Sequence, residues 1–188
     1  MMRFSFIITA LMLSACSSDV EPVENDTNAV DEPVETGMAV APYGNGVVTL
    51  DSPDDVPTTV ARLEEALDAG GFTIIAKLDH QDNASKAGLD LAPATVIFFG
   101  KPEAGTPLMH EAPEASLDLP QRMSIYVKDG RTIIAYNDPV WLASRHGITG
   151  QDERLDKISE ALKLLAERAA GEISAASAAQ TITNQATD

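Results

Sequence analysis

The sequence predicts an α+β domain, an antiparallel sheet with helices packed on one face. Three stretches carry that expectation. Leu155, Ile158, Leu162 and Leu165 recur at spacings of three and four, the stripe of an amphipathic helix of about four turns. Arg122 to Lys128 and Arg131 to Tyr136 read as strands joined by Asp129-Gly130, a dipeptide suited to hairpin turns that need positive φ. Thr95 to Phe99 is a continuous apolar run between Pro93 and Gly100, the pattern of a buried strand. A helix with one apolar stripe covers one side of such a sheet.

The remaining elements follow in chain order. Val47 to Leu50 is a short strand. Ser52-Pro53-Asp54-Asp55 offers an N-cap, an early proline and acids for the positive end of a helix. Pro57 fits that helix only in its first turn, where the missing donor has no intrahelical partner. Val60, Leu63 and Leu67 form its apolar stripe, and Gly70-Gly71 stops it. Phe72 to Leu78 returns as a strand. Asp79 to Leu91 is polar, with room for a short helical turn. Residues 100–120 carry Pro102, Pro107, Pro113 and Pro120, so no single long element is expected there, and His110-Glu111 reads as a solvated loop pair. Val140 to His146 suggests a short helix.

Composition narrows the function. The 188 residues carry 13 Lys and Arg against 29 Asp and Glu, a net charge of -16, with 44% hydrophobic residues. That apolar share is ordinary for a folded core. The charge argues against nucleic acid as a partner and against electrostatic attraction to anionic lipid. A single cysteine excludes an internal disulfide, a CxxC pair and a Cys-rich zinc site. No metal or cofactor motif is present: His80, His110 and His146 show no ligand spacing, and Gly100 and Gly105 do not make a phosphate loop. No serine sits in a nucleophile elbow.

The first fifteen residues read as an export leader, with Arg3 followed by an apolar run from Phe4 to Leu13 that is too short to span a bilayer. Leu13-Ser14-Ala15-Cys16 resembles the bacterial lipobox. The resemblance implies lipidation of Cys16 and membrane attachment through it, and Ser17 in place of Asp implies the outer membrane, facing the periplasm. Several acyl chains anchor stably where one is marginal. Residues 16–45 hold seven acids, no basic residue and Pro22, Pro33 and Pro42, the composition of a disordered tether. The folded domain is expected at 46–170. A low-complexity tail rich in Ala, Ser, Thr, Gln and Asn follows at 171–188.

Several blocks then carry a family resemblance. They are Leu78-Asp79-His80 with Asn83-Ala84, Ala87-Gly88-Leu89, Phe99-Gly100-Lys101-Pro102, Gly105-Thr106-Pro107-Leu108-Met109 and Leu117-Asp118-Leu119-Pro120. Tyr136-Asn137-Asp138-Pro139 and Leu142-Ala143-Ser144-Arg145-His146-Gly147 complete the series. In order and spacing these blocks resemble the domain of unknown function 302 family over roughly residues 46–165. The resemblance implies a β-α-β-β-β-β-α plan, pairing as a homodimer, and no established activity. Lys101 departs from it, standing where the family usually has Asn.

Five side chains are candidates for a ligand site: His80, Asp118, Tyr136, Arg145 and His146. His80 follows a strand, and its imidazole suits acid–base work or a loop hydrogen bond, with Asp79 or Asp82 to orient it. Asp118 is a lone acid among leucines that needs partners if buried, either loop amides or Arg122 or Arg145. Arg145 and His146 either complement a helix C-terminus or form a rim for an anion. Tyr136 and Trp141 could line an apolar pocket or simply pack in the core. With no catalytic set, the leading expectation is a non-catalytic small-ligand-binding or accessory module, a small anionic ligand being one partner it could take. An enzyme with His80 as general base and a purely structural envelope protein are the alternatives.

Overall fold

The structure, a computed structural model, describes residues 45–173. The lipobox at Cys16, the acidic tether before Asn45 and the tail after Ile173 lie outside the described residues. In chain order the elements are β1 (Val47–Ser52), α1 (Val56–Ala69), β2 (Thr73–Asp79), α2 (His80–Lys86) and β3 (Ala94–Gly100). There follow α3 (Pro102–Glu111), a 3₁₀ turn (Pro113–Leu117), β4 (Gln121–Lys128), β5 (Arg131–Asn137), α4 (Pro139–Arg145) and α5 (Asp152–Ala170). The β-α-β-β-β-β-α plan stands, with shorter helices inserted in the connections. No helix among the described residues is long and apolar enough to cross a membrane.

The first long helix starts where the acids predict, though on Asp55 rather than Ser52. The Asp55 carboxylate accepts a bond from the Thr58 amide at 2.9 Å, and Pro57 falls in the first turn. Ser52 turns inward instead and shares a 2.8 Å hydrogen bond with the buried Thr59 hydroxyl. At the far end Gly70 caps the helix and Gly71 takes φ +66, a backbone that favours glycine.

All strand pairs are antiparallel, in the order β1-β5-β4-β3-β2. The chain leaves one edge of the sheet, crosses beneath it as α1, and returns strand by strand until β5 lies beside β1. Asp129 and Gly130, at φ 52 and 73, form the tight turn between β4 and β5. Register puts Ile97 opposite Met123 and Met123 opposite Tyr136, with Ile125 opposite Ile134, so one sheet face is lined by large apolar residues. Against that face pack Val60, Leu63 and Leu67 of α1 and Leu162 and Leu165 of α5. Ala166, Ala169 and Ala170 are small enough to let α5 lie close against α1.

A second apolar cluster caps one end of the sheet. Leu108, Ala112, Ala115, Ala143, Ile148 and Leu155 join α3, the 3₁₀ turn and α4 to the start of α5. Here the proline count misleads. Residues Pro102–Glu111 form a ten-residue helix, with Pro102 in its first turn and Pro107 in its interior. The interior proline removes one backbone bond, and burial of Leu108 and Met109 in the end cluster offsets it. His110 and Glu111 therefore lie on the last turn of a helix, not in a loop, and Glu111 accepts a bond from Gln151 at 3.0 Å.

Candidate functional site

At this capped end three connections meet. The 3₁₀ turn runs out at Leu117 and the chain passes Asp118 and a cis Leu119–Pro120 bond into β4, whose second residue is Arg122. Alongside, α4 ends in Arg145, with His146 as its C-cap. The helix is set by its own sequence: the Asp138 carboxylate accepts from the Val140 and Trp141 amides at 2.7 and 3.1 Å, and Pro139 opens the first turn. Gly147, at φ +65, lets the chain leave the helix.

Asp118 is the pin of this end and is only 5% exposed. Its Oδ1 accepts from Arg122 Nη2 at 3.0 Å, and Arg145 Nη1 bridges both carboxylate oxygens at 3.3 and 3.0 Å. His146 Nε2 lies 2.7 Å from Oδ2. A carboxylate only accepts, so Nε2 is the protonated ring nitrogen. Burying this carboxylate without partners would be costly, and three cationic or donor side chains offset that cost. The arrangement is lopsided: two guanidiniums meet one carboxylate. Their side chains are 37% (Arg122) and 48% (Arg145) exposed, so the excess positive charge faces solvent. Most of the N–H donors of each guanidinium are not spent on Asp118, and a planar fork with spare donors suits an oxyanion. Arg145 is steadied from behind by Trp141, whose ring centroid is 5.8 Å from Cζ.

Three of the five candidates, Asp118, Arg145 and His146, thus share one site. The other two do not join them. His80 is the first residue of α2, at the end of β2 where Asp79 pairs with Thr95. Asp118 lies beyond the opposite ends of the strands, a strand length of roughly 20 Å away at about 3.3 Å per residue. His80 is exposed, and neither acid expected to orient it does so. Asp79 caps α2 through the Asp82 amide at 2.9 Å, and Asp82 pairs with Lys86. A single pocket of five residues is ruled out because strand order, which separates them, leaves no trace in local pattern.

Tyr136 faces the helix-covered side of the sheet and is 8% exposed. It borders an open cleft between β1, the start of α4 and one face of α5. Burial first, then the carboxylates of Asp138, Glu167 and Glu160, pushes its hydroxyl from the usual 10 up to about 12. A raised folded-state value makes the neutral hydroxyl stabilising below about pH 10, a contribution lost as pH climbs toward 12. Stability measured by urea unfolding should therefore drop less between pH 10 and 12 in Tyr136→Phe than in the parent; equal losses would assign the titration to another group.

Arg122 joins the site although it was foreseen only as a possible partner for Asp118; its signal was the four-residue spacing from that acid. The acids and lysines of α5 that line the cleft gave no signal, because the solvated face of any amphipathic helix has the same composition. Among the described residues no three His, Cys, Asp or Glu side chains are grouped so as to hold a metal ion.

Comparison with known proteins agrees with this architecture. The family model described as "Domain of unknown function DUF302" matches residues 48–165. Over 105 residues, 55% of this chain, the sequence is 36% identical to "Fluoride-specific ion channel FluC 1" of Brucella suis biovar 1, covering 41% of that protein. The same identity and length relate it to "Fluoride-specific ion channel FluC 1" of Brucella abortus biovar 1 and "Fluoride-specific ion channel FluC 2" of Brucella melitensis biotype 1, covering 39% of each. The chain thus matches about two fifths of the length of these curated relatives. A crystal structure of an uncharacterized conserved DUF302 protein from Bacillus stearothermophilus superposes with a TM-score of 0.61 at 22% identity. It covers 66% of this chain and 98% of that one, a likeness of fold alone.

Proposed function

This chain belongs to the DUF302 family, and on that premise we propose that it is a lipid-anchored module of the bacterial cell envelope that binds a small anionic ligand without transforming it. The observation that carries the reading is the pair of half-exposed guanidiniums, Arg122 and Arg145, gathered by the single buried carboxylate of Asp118. On a chain of net charge -16, such a cationic spot is where an anion gains most. The attachment rests on the lipobox at Cys16, and Ser17 favours the outer membrane, periplasmic side. The curated relatives, whose names make them ion channels, support a place beside a membrane, since the matching segment there is part of a longer protein. An enzyme built on His80 has no comparable support, since that imidazole is exposed and unoriented.

Binding to the folded state raises melting temperature, the stabilisation growing with the logarithm of ligand over Kd. Sodium phosphate and sodium fluoride at constant ionic strength should raise that of the full chain, and Arg145→Ala should abolish the rise. Equal rises in parent and variant would remove the anion site. Cys16→Ser should move the protein from the membrane to the soluble fraction; unchanged membrane retention would remove the lipid anchor.

A specific observation favours pairing with a second copy as well. Every residue of the edge strand β2 is exposed, α2 buries none, and Ile74, Ile75, Leu78, Leu89 and Leu91 stand in solvent. A cluster of large apolar side chains beside an open sheet edge is the surface a partner covers.

A further inference from the structure

The sheet packs α1 and α5 against one face. Ile97, Met123 and Ile134 point into that packing. Side chains alternate along a strand, so their neighbours stand on the opposite face. There β3 presents Val96 and Phe98, β4 presents Tyr126, and β5 presents Ile133 and Ala135. Neither apolar cluster built with the helices includes any of these five. Val96, Ile133 and Ala135 lie low in the middle strands, while Phe98 and Tyr126 are half-buried and keep ring surface in water.

One end of this strip is cationic. Arg122 has the same parity as Tyr126 and therefore belongs to the same face. Its partner across the β3–β4 ladder is Phe98, which places their Cβ atoms about 5 Å apart. The Arg122 guanidinium also donates to the Leu117 carbonyl at 3.4 Å, and the Leu117 side chain is 70% exposed. Arg145 joins Arg122 on Asp118. From Arg122 to Tyr126 the strip runs about 13 Å, at roughly 3.3 Å per residue. Phosphate or a halide would use the guanidiniums and leave Leu117 and Phe98 in water. An anionic head with an aliphatic tail uses both.

We propose that the ligand of the arginine site is a free single-chain amphiphile, a carboxylate on an aliphatic chain. The inference rests on the anion site proposed above and names its occupant. The carboxylate bonds to Arg122 and Arg145, and the chain leaves over Leu117 and Phe98 toward Tyr126. A free monomer is the source, because a chain of net charge -16 is repelled by an anionic bilayer.

Octanoate, butyrate, 1-octanol and phosphate separate the two requirements. They are titrated into the full chain carrying Cys16→Ser, so that no acyl chain attached there competes. NMR follows the arginine Nε–H signals and the Phe98 and Tyr126 rings. Each fully buried methylene is worth about fourfold in affinity. Octanoate, with its tail partly covered, should therefore bind about tenfold tighter than butyrate, and 1-octanol should bind more weakly than octanoate. Leu117→Ser, at an exposed position, should weaken octanoate severalfold and leave phosphate unchanged; Phe98→Ala should do the same. Phosphate saturating at Arg122 and Arg145 while octanoate binds no tighter than butyrate would overturn the amphiphile and keep the anion site. No saturation there by any anion would overturn both. Binding to phosphatidylglycerol vesicles without binding to monomeric octanoate would overturn the free ligand in favour of a membrane surface.

Discussion

Asp118→Asn should destabilise the domain by about 3 kcal/mol, the usual cost of breaking a buried ion pair from one side. The substitution hardly changes shape, so the loss comes from charge. Asp118 is held by Arg122, Arg145 and His146 together, and without the carboxylate two guanidiniums face each other uncompensated. For a domain of this size that corresponds to a fall in melting temperature of roughly 10 °C. The paired variant Arg122→Ala/Arg145→Ala should be more damaging than the sum of its parts, because each single variant already relieves the repulsion between the guanidiniums and keeps one of them on Asp118, whereas the pair leaves the buried carboxylate to His146 alone. Urea unfolding of Asp118→Asn, of each single arginine variant and of the paired variant checks this. An Asp118→Asn protein as stable as the parent would show that the carboxylate is not what organises this end of the sheet.

The second large effect concerns assembly. Ile75→Lys combined with Leu78→Lys should convert a dimer to a monomer with little change in the stability of the single chain. Ile75, at 60% exposure, and Leu78, at 38%, contribute little to the core, so charges there cost the monomer little. At an interface the same charges would be buried and opposed. Sedimentation of parent and variant over a range of concentrations reads the outcome. A parent that is monomeric throughout, or a variant that sediments as a dimer, would remove the pairing through β2. The parent's melting temperature should also rise with concentration and the variant's should not.

Much of the fold was legible because its elements are written in local chemistry. Asp129-Gly130 specified the hairpin, and the leucines of α5 specified both the helix and its buried face. Gly70-Gly71 marked a stop that backbone angles honour. The Asp118 partnership was legible in part: a buried acid amid Leu117 and Leu119 needs partners, but the sequence left loop amides open beside Arg122 and Arg145, and only the fold adds His146. What local chemistry does not carry is the order of strands. His80 and Asp118 each stand at a strand end, and only the sequence β1-β5-β4-β3-β2 decides that the ends are opposite. Edge position is equally silent: Phe72 to Leu78 has the apolar content of a buried strand, yet β2 is exposed along its whole length. The interior proline of α3 failed as a breaker because packing of Leu108 outweighed one missing hydrogen bond.

The central claim is that Arg122 and Arg145, held by Asp118, form an anion site. The most direct measurement is an NMR titration of the full chain with sodium phosphate, observing arginine Nε–H signals at constant ionic strength. Saturable shifts at Arg122 and Arg145, absent at Arg131 and Arg154 and lost in Arg145→Ala, are the predicted result. Shifts that grow linearly and equally at all arginines would contradict it, leaving Asp118 as the buried pin of a structural corner and nothing more.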